Sequence, residues 1–330
     1  MARHGLLFAQ GSRIIDQSGQ PVQLRGMSLS WSQWFGEYWN ADVVSWLSSD
    51  FKVDLVRAAM GVEFDGGYLS NPEQEKAKMK AVVNASIAAG IYVLVDWHAH
   101  SAEESIPQAK AFFDEMAREY GHFPNVLWEP FNEPSSQDWS SVIKPYHEQL
   151  VPIIRAHSQN LISLGTRFFS GHVDEACGDP VSGSNLAYSI HFLAQVYKQA
   201  ELMQRVQNAI DSGCAVFSTE WLTGYSTLDL DSAQQWMDFF ASRQISNVNF
   251  AVYHTRNSVD GALTLSASAS GGWTDSQLTP SGRWVRNYLR RAPGNECEWQ
   301  ASEDACSQHQ PTDIYCSCSW GVDSCSMACA

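Results

Sequence analysis

Basic residues are in short supply. The 330-residue chain carries 21 Lys and Arg against 36 Asp and Glu, a formal net charge of −15. Nucleic acid and anionic membranes are bound by clustered Lys and Arg. Neither is an expected partner, which leaves a soluble protein with a neutral or cationic ligand. Long hydrophobic runs are missing too, since no apolar stretch approaches the roughly 20 residues that span a bilayer. The opening MARHGLLFAQGS has too short an apolar segment for a secretory signal. A cytoplasmic protein and a processed, secreted form are both open on that ground alone.

Cysteine is nearly absent from residues 1–296, where only Cys177 and Cys214 occur, and these can be free or paired. The remaining six (Cys297, Cys306, Cys316, Cys318, Cys325 and Cys329) crowd into the end of the chain, in a segment rich in Ser, Asp and Gln. Such a segment has little with which to form a core and needs covalent staples, which implies an oxidising compartment. Paired C-x-x-C knuckles of the kind that bind zinc are lacking. The expected protein is therefore secreted and extracellular, with residues 294–330 as a disulfide-stapled tail or linker. Trp299, Tyr315 and Trp320 would suit a small glycan-binding knot there, although a stapled linker is the simpler expectation.

Aromatics, by contrast, are plentiful: 13 Trp, 11 Tyr and 15 Phe. Core packing accounts for many of them, but flat platforms for sugar rings are the sharper use.

Eight short apolar runs are spread along residues 22–254, each bounded by Gly, Asn, Asp or Pro. They are VQLRGMSLSW, VDLVRAAM, IYVLVDWH, NVLWEPFNE, NLISLGT, NLAYSIHF, AVFSTEW and NVNFAVYH. Between and after them lie helical patterns over 71–90, 106–121, 138–158, 196–213, 231–244 and 279–292. Gly90 reads as a C-cap, and Pro145 and Pro152 imply kinks or a displaced start. Fully apolar strands alternating with helices indicate a parallel sheet covered by helices. Eight units predict a (β/α)8 TIM barrel over residues 1–293. An open doubly wound sheet would carry a glycine-rich phosphate loop after its first strand, and RGMSLSWSQW is not one.

In such barrels chemistry sits at the C-terminal ends of the strands. The second run ends near Arg57, the third at Asp96-Trp97-His98, the fourth at Asn132-Glu133, the sixth at His191 and the seventh at Glu220-Trp221. In the fourth, LWEPFNEP, the two prolines argue against a helix and place Asn132 and Glu133 at a stiff strand end. Glycoside hydrolysis needs one protonated carboxylic acid and one carboxylate on opposite faces of a sugar. Glu133 and Glu220 meet that need across the barrel mouth. Arg57 beside Glu220 would keep it ionised, burial would keep Glu133 protonated, and Asn132 would hold a sugar hydroxyl. Asp54 and Asp96 read as structural partners. His122, His147, His157 and His309 read as surface residues.

The segments VRAAM, DWHAHSAE, FNEP, AYSIHF and STEW resemble glycoside hydrolase family 5, in particular its bacterial-type endoglucanases, over roughly residues 10–290. The resemblance implies a retaining β-1,4-glucanase acting on a β-glucan, with Glu133 as acid/base, Glu220 as nucleophile, and Arg57, His98, Asn132 and His191 in support. It implies no cofactor or metal. Trp34 would stack a sugar in the minus subsites; Trp97, Trp221, Phe250 and His100 are further candidate substrate contacts. A monomer is expected. The chain departs from the family pattern at Leu193, where a Tyr usually contacts the nucleophile, and at Leu222, usually Gly. It departs again at Phe250, usually Trp, and at Thr255 and Asn257, usually Lys and Glu. These changes predict altered subsites. They keep open a related β-mannan or xyloglucan hydrolase, or a glycan-binding protein with weak or lost catalysis. A metal hydrolase built on the His98-x-His100 pair is the remaining rival.

Overall fold

The computed structural model describes residues 3–195, 199–224, 226–256 and 259–291. The six cysteines of the tail, its aromatic residues, His309 and Asn257 lie outside these residues. Eight parallel strands close into a barrel: β3 (Arg25–Leu29), β4 (Leu55–Gly61), β5 (Tyr92–His98), β6 (Val126–Glu129), β7 (Ile162–Leu164), β8 (Leu186–Leu193), β9 (Val216–Leu222) and β10 (Asn247–Val252). Closure is made by β10 beside β3, with Asn247 opposite Arg25. All eight predicted runs are strands, because a strand walled by helices outside and side chains inside has two faces to bury.

Two short strands precede the barrel, β1 (Phe8–Gln10) and β2 (Arg13–Ile15), paired antiparallel around Gly11. The hairpin sends Leu7 and Ile14 into a cluster with Leu24, Leu55, Tyr92, Leu127, Leu161 and Phe217 that plugs the N-terminal end. Strands of three residues carry too little alternation to show in sequence. The same holds for the short helix Ala41–Trp46, capped by the Asn40 side chain accepting from the Val43 amide.

The long helices follow their signals. Pro72–Ala89 starts with proline in its first turn and stops at Gly90, whose φ of 73° is the left-handed conformation glycine adopts at low cost. The predicted helix over 138–158 divides: a turn at Trp139–Ile143 capped by Asp138 leads into Lys144–Arg155, with Pro145 in its first turn and Pro152 inside. His147 on this helix is a correction to the sequence reading. It is fully buried, its Nε2 donates to the Gly165 carbonyl at 2.9 Å, and burial lowers its pKa to about 4. Cys177 and Cys214 form a disulfide. No helix among the described residues is long and apolar enough to cross a membrane.

Candidate active site

Strand register brings the strand-end residues together. Arg57 on β4 lies opposite Ser28 on β3; Asp96 on β5 lies opposite Ala59 on one side and Glu129 on the other; His191 on β8 lies opposite Glu220 on β9. Since side chains alternate along a strand, these positions turn into the barrel. Arg57 is fully buried and at the centre. Its Nε donates to Glu129 Oε2 (2.7 Å), its Nη1 to Glu220 Oε2 (2.8 Å), and its Nη2 to Asn132 Oδ1 (2.6 Å), with Asp96 Oδ2 at 2.9 Å. Burial alone would lower its pKa, but Asp96, Glu129 and Glu220 more than offset this and hold the guanidinium charged.

Glu129 was not singled out from sequence, yet it is the second hub. Besides Arg57 it accepts from Ser189 Oγ (3.0 Å) and from the Thr219 hydroxyl. Thr219 in turn lies 2.8 Å from His191 Nε2, and His191 Nδ1 lies 2.9 Å from Glu133 Oε1. With His191 protonated, every hydrogen bond runs one way: Nδ1–H to Glu133, Nε2–H to Thr219, Thr219 to Glu129. Burial opposes that proton, but Glu129, 3.9 Å from Nε2, the bond to Glu133 and the charge of Glu220 raise the imidazole pKa to about 9.

Three oxygens and nitrogens, one each from Glu133, His191 and Glu220, lie within 4.8 Å of one another. Among the described residues this is the one grouping of three or more His, Cys or carboxylate groups with a spacing a metal ion could use. It does not contain the His98-x-His100 pair. Those two rings diverge: His98 Nδ1 bonds Asp96 Oδ2 (2.7 Å), while His100 Nδ1 bonds Glu63 Oε1 (3.0 Å) and its Nε2 lies 3.5 Å from Glu133 Oε2.

The electrostatics pull against an ionised Glu220 and a protonated Glu133. Burial, then the charge of Glu133, push Glu220 up to about 7 against the pull of Arg57. Burial also acts on Glu133, but His100, 3.5 Å away, and His191, hydrogen-bonded at 2.9 Å, outweigh it and hold that carboxyl well below its usual range. The reason is that Arg57 is shared. One guanidinium cannot neutralise Asp96, Glu129 and Glu220 together, whereas Glu133 has an imidazole against each of its two oxygens.

Two expected substrate contacts are corrected. Trp97 is fully buried against Tyr68, Phe112 and Phe113, and Trp221 against Phe192, Trp284 and Tyr288. Each follows an inward-facing residue on its strand, so each points outward into the helix layer. Phe250 reaches the mouth but is only 8% exposed, stacked over His98 at 5.8 Å. With Ala59, Ala251 and Leu222 it forms one apolar cluster, onto which Leu193 packs. Three departures from the family pattern are thus a single apolar wall beside Glu220.

Trp34 is 51% exposed, stacked with exposed Phe64 at 5.6 Å and close to Trp31. Phe169, missed in the sequence, is 52% exposed with its ring 6.3 Å from His100. It belongs to a run of three left-handed residues, Phe168, Phe169 and Ser170, tied to the Glu133 loop by Phe169 N–H to Pro134 O (2.8 Å) and Ser170 Oγ to Asn132 O (2.9 Å). Three consecutive non-glycine residues at positive φ are costly and mark a site. Gly165 allows the close approach: a Cβ there would lie 2.1 Å from the Phe131 carbonyl oxygen.

Comparison with known proteins agrees with this geometry. The family model for cellulase (glycosyl hydrolase family 5) matches residues 15–255. An endoglucanase from Clostridium saccharobutylicum is 40% identical over 294 residues, 86% of this chain and 65% of its own length. Endoglucanase Z of Dickeya dadantii is 41% identical over 277 residues, 81% of this chain and 62% of its own. The chain therefore spans under two thirds of these relatives. Among solved structures, one from Cytophaga hutchinsonii superposes with a TM-score of 0.85 at 44% identity, covering 87% of this chain and 95% of that one. The catalytic domain of Thermobifida fusca endoglucanase Cel5A gives 0.82 at 31% identity, covering 88% and 98%. A parallel eight-stranded barrel, a buried Arg57 network, and a family match over most of the chain lead to one conclusion: the chain belongs to glycosyl hydrolase family 5.

Proposed function

We propose that the protein hydrolyses β-1,4-glucan chains internally with retention of anomeric configuration, Glu220 acting as nucleophile and Glu133 as acid/base. The observation that carries this is the carboxylate spacing. Oxygens of Glu133 and Glu220 lie within 4.8 Å, which suits direct attack on the sugar at roughly 5–5.5 Å between carboxyls and leaves no room for the water an inverting enzyme places at about 6.5–9.5 Å.

Glu220 attacks the anomeric carbon while Glu133 delivers a proton to the departing glycosidic oxygen, giving a glycosyl ester on Glu220. Glu133, now ionised, then takes a proton from water, which displaces Glu220 and restores both groups. Glu133 and His191, 2.9 Å apart, share the proton needed for the first step, so the pair titrates as a unit. That is how a carboxyl held low by its imidazole neighbours can still act as the acid. Asn132 Nδ2 is buried with no hydrogen-bond partner among the described residues, while its Oδ1 is fixed by Arg57. An orphaned amide at this place suits a sugar hydroxyl beside the reacting carbon. A variant of the Thermobifida fusca enzyme has been solved in complex with cellotetraose, which supports a β-glucan substrate here. The Cys177–Cys214 disulfide supports an extracellular location.

The test is reducing-sugar release from carboxymethylcellulose, lichenan, xyloglucan and glucomannan by wild type, Glu133→Gln and Glu220→Gln, with the anomer of the first product read by NMR. Both isosteric changes should cost about 10³-fold or more in kcat, and the first product should be the β-anomer. Turnover that survives either change on every polysaccharide refutes the assignment.

A further inference from the structure

The loop after β4 carries Glu63, which no part of the reaction above uses. Its carboxylate accepts three hydrogen bonds from one place: Oε1 from the His100 amide (2.9 Å) and His100 Nδ1 (3.0 Å), Oε2 from the Ser101 amide (3.0 Å). The ring so held directs Nε2 at Glu133 Oε2, 3.5 Å away, on the oxygen that His191 does not bind. Trp31, Phe64 and Phe169 surround the imidazole at 5.6, 6.1 and 6.3 Å between ring centroids, leaving it little freedom to turn. Gln137 Nε2 donates to the His100 carbonyl and to Glu103, fixing the backbone from the far side.

We propose that Glu63 is a positioning residue for the reaction: it holds His100 as a cation against the outer oxygen of Glu133 and so sets the alkaline edge of activity. The inference rests on the acid/base role proposed for Glu133. It replaces the sequence reading of His100 as a sugar contact.

The charged groups facing Glu133 come from four places. His191 is on β8, Glu220 on β9 and His98 at the end of β5, and His100 follows β5; Arg57 reaches it only through Asn132 and Glu220. His98 is buried and kept neutral by desolvation and by Arg57. The cations against Glu133 are therefore His191 and His100. Burial works against the His100 proton, but Glu133 and Glu63 raise its pKa to about 10. A cation at that distance disfavours a proton on the Glu133–His191 pair, and its removal should let the pair keep that proton to higher pH.

The experiment is the pH profile of kcat/KM on a soluble glucan for wild type, His100→Gln, His100→Lys and Glu63→Ala, with the His100 ring followed by NMR titration and melting temperatures as the check on folding. In His100→Gln the alkaline limb should move up by about one pH unit. In His100→Lys, which keeps the charge, it should stay. In Glu63→Ala the His100 titration should fall toward the ordinary histidine range and the limb should follow His100→Gln. Limbs that stay put in all variants while KM rises would make His100 a sugar contact and overturn the proposal. So would an ordinary His100 titration in wild type, a readout that needs no variant. Glu133→Gln, assayed beside them on an aryl β-cellobioside whose leaving group needs no acid, separates the two ideas. If that variant loses no more on polysaccharide than on the aryl substrate, the acid/base reading itself fails, whatever the limbs do.

Discussion

At the N-terminal end of the barrel, Leu24, Leu55, Tyr92, Leu127, Leu161 and Phe217 meet the hairpin residues Leu7 and Ile14, and none is more than 4% exposed. At the other end the same barrel carries Arg57, Asp96, Glu129, His191 and Glu220, almost as deeply buried but ionisable. The two ends differ in how they tolerate loss. Apolar contacts are many and individually small, so removing one leaves a cavity and little else. A buried charge network satisfies each group through named partners, so removing one strands the others.

The sharpest way to break the comparison is to remove the central atom group at each end. Arg57→Met takes away the cation that Asp96, Glu129 and Glu220 share, and uncompensated buried charge costs about 3–5 kcal/mol. Activity should vanish with it, since Glu220 and Asn132 lose their anchor. Leu24→Ala should cost about 2–5 kcal/mol, yet kcat/KM per folded molecule should be unchanged, because Leu24 precedes β3 at the end of the barrel opposite Glu133 and Glu220. Thermal melts and kinetics on the two variants measure this directly; equal loss of activity in both would show the ends to be coupled.

That division also governs what was legible. The eight strands could be read because burial on both faces makes each a continuous apolar run, and Arg57, Asn132, Glu133, His191 and Glu220 stood out as polar groups ending such runs. Glu129 did not, although it sits in the quoted LWEPFNEP, because its partner Arg57 lies 72 positions away and only barrel closure joins them. Thr219 and Ser189 look like ordinary strand residues until both hydroxyls are seen to bond Glu129, that of Thr219 also bridging it to His191. Glu63 lies in a loop with no period to mark it. The misplacement of Trp97 and Trp221 had a signal that was available: with Asp96 and His98 facing in, and Glu220 facing in, alternation sends the neighbouring tryptophans out. Exposed Phe169 depended on a left-handed run that RFFSG does not announce.

A smaller effect comes from the wall rather than from either end. Cys177 and Cys214 close a separation of 37 residues around the Val173–Gly178 and Gln199–Asp211 helices. Restricting an unfolded loop of that length contributes about 3–4 kcal/mol in the chain-entropy account. The Cys177→Ser/Cys214→Ser pair, or wild type under reductant, should melt lower by that amount. Because the disulfide contributes no group to the Arg57 network, the shape of the pH–activity profile should not change. A changed profile would place the bridge in the site's support.

The least effect, and the one that separates the ends most cleanly, is pH dependence, because the plug contains no carboxylate or imidazole. His191 has its pKa raised from 6.5 to about 9 in the fold, so its contribution to stability is complete below about pH 6.5 and is lost as pH rises toward 9. Glu220, raised from 4.5 to about 7, acts in the same sense over a lower window, its contribution complete below pH 4.5 and lost through 7. Glu133 opposes them: its carboxyl is depressed, so its contribution is present above its ordinary value of 4.5 and lost in acid. Melting temperature should therefore decline between about pH 6.5 and 9. Over the same interval kcat/KM should form a bell, its acid limb near 7 where Glu220 must ionise and its alkaline limb near 9 where the Glu133–His191 proton is lost. Leu24→Ala should lower the whole melting curve without altering its slope against pH. A slope that flattens in that variant would mean the apolar end holds the charged end in register, and the barrel would have to be treated as one cooperative device.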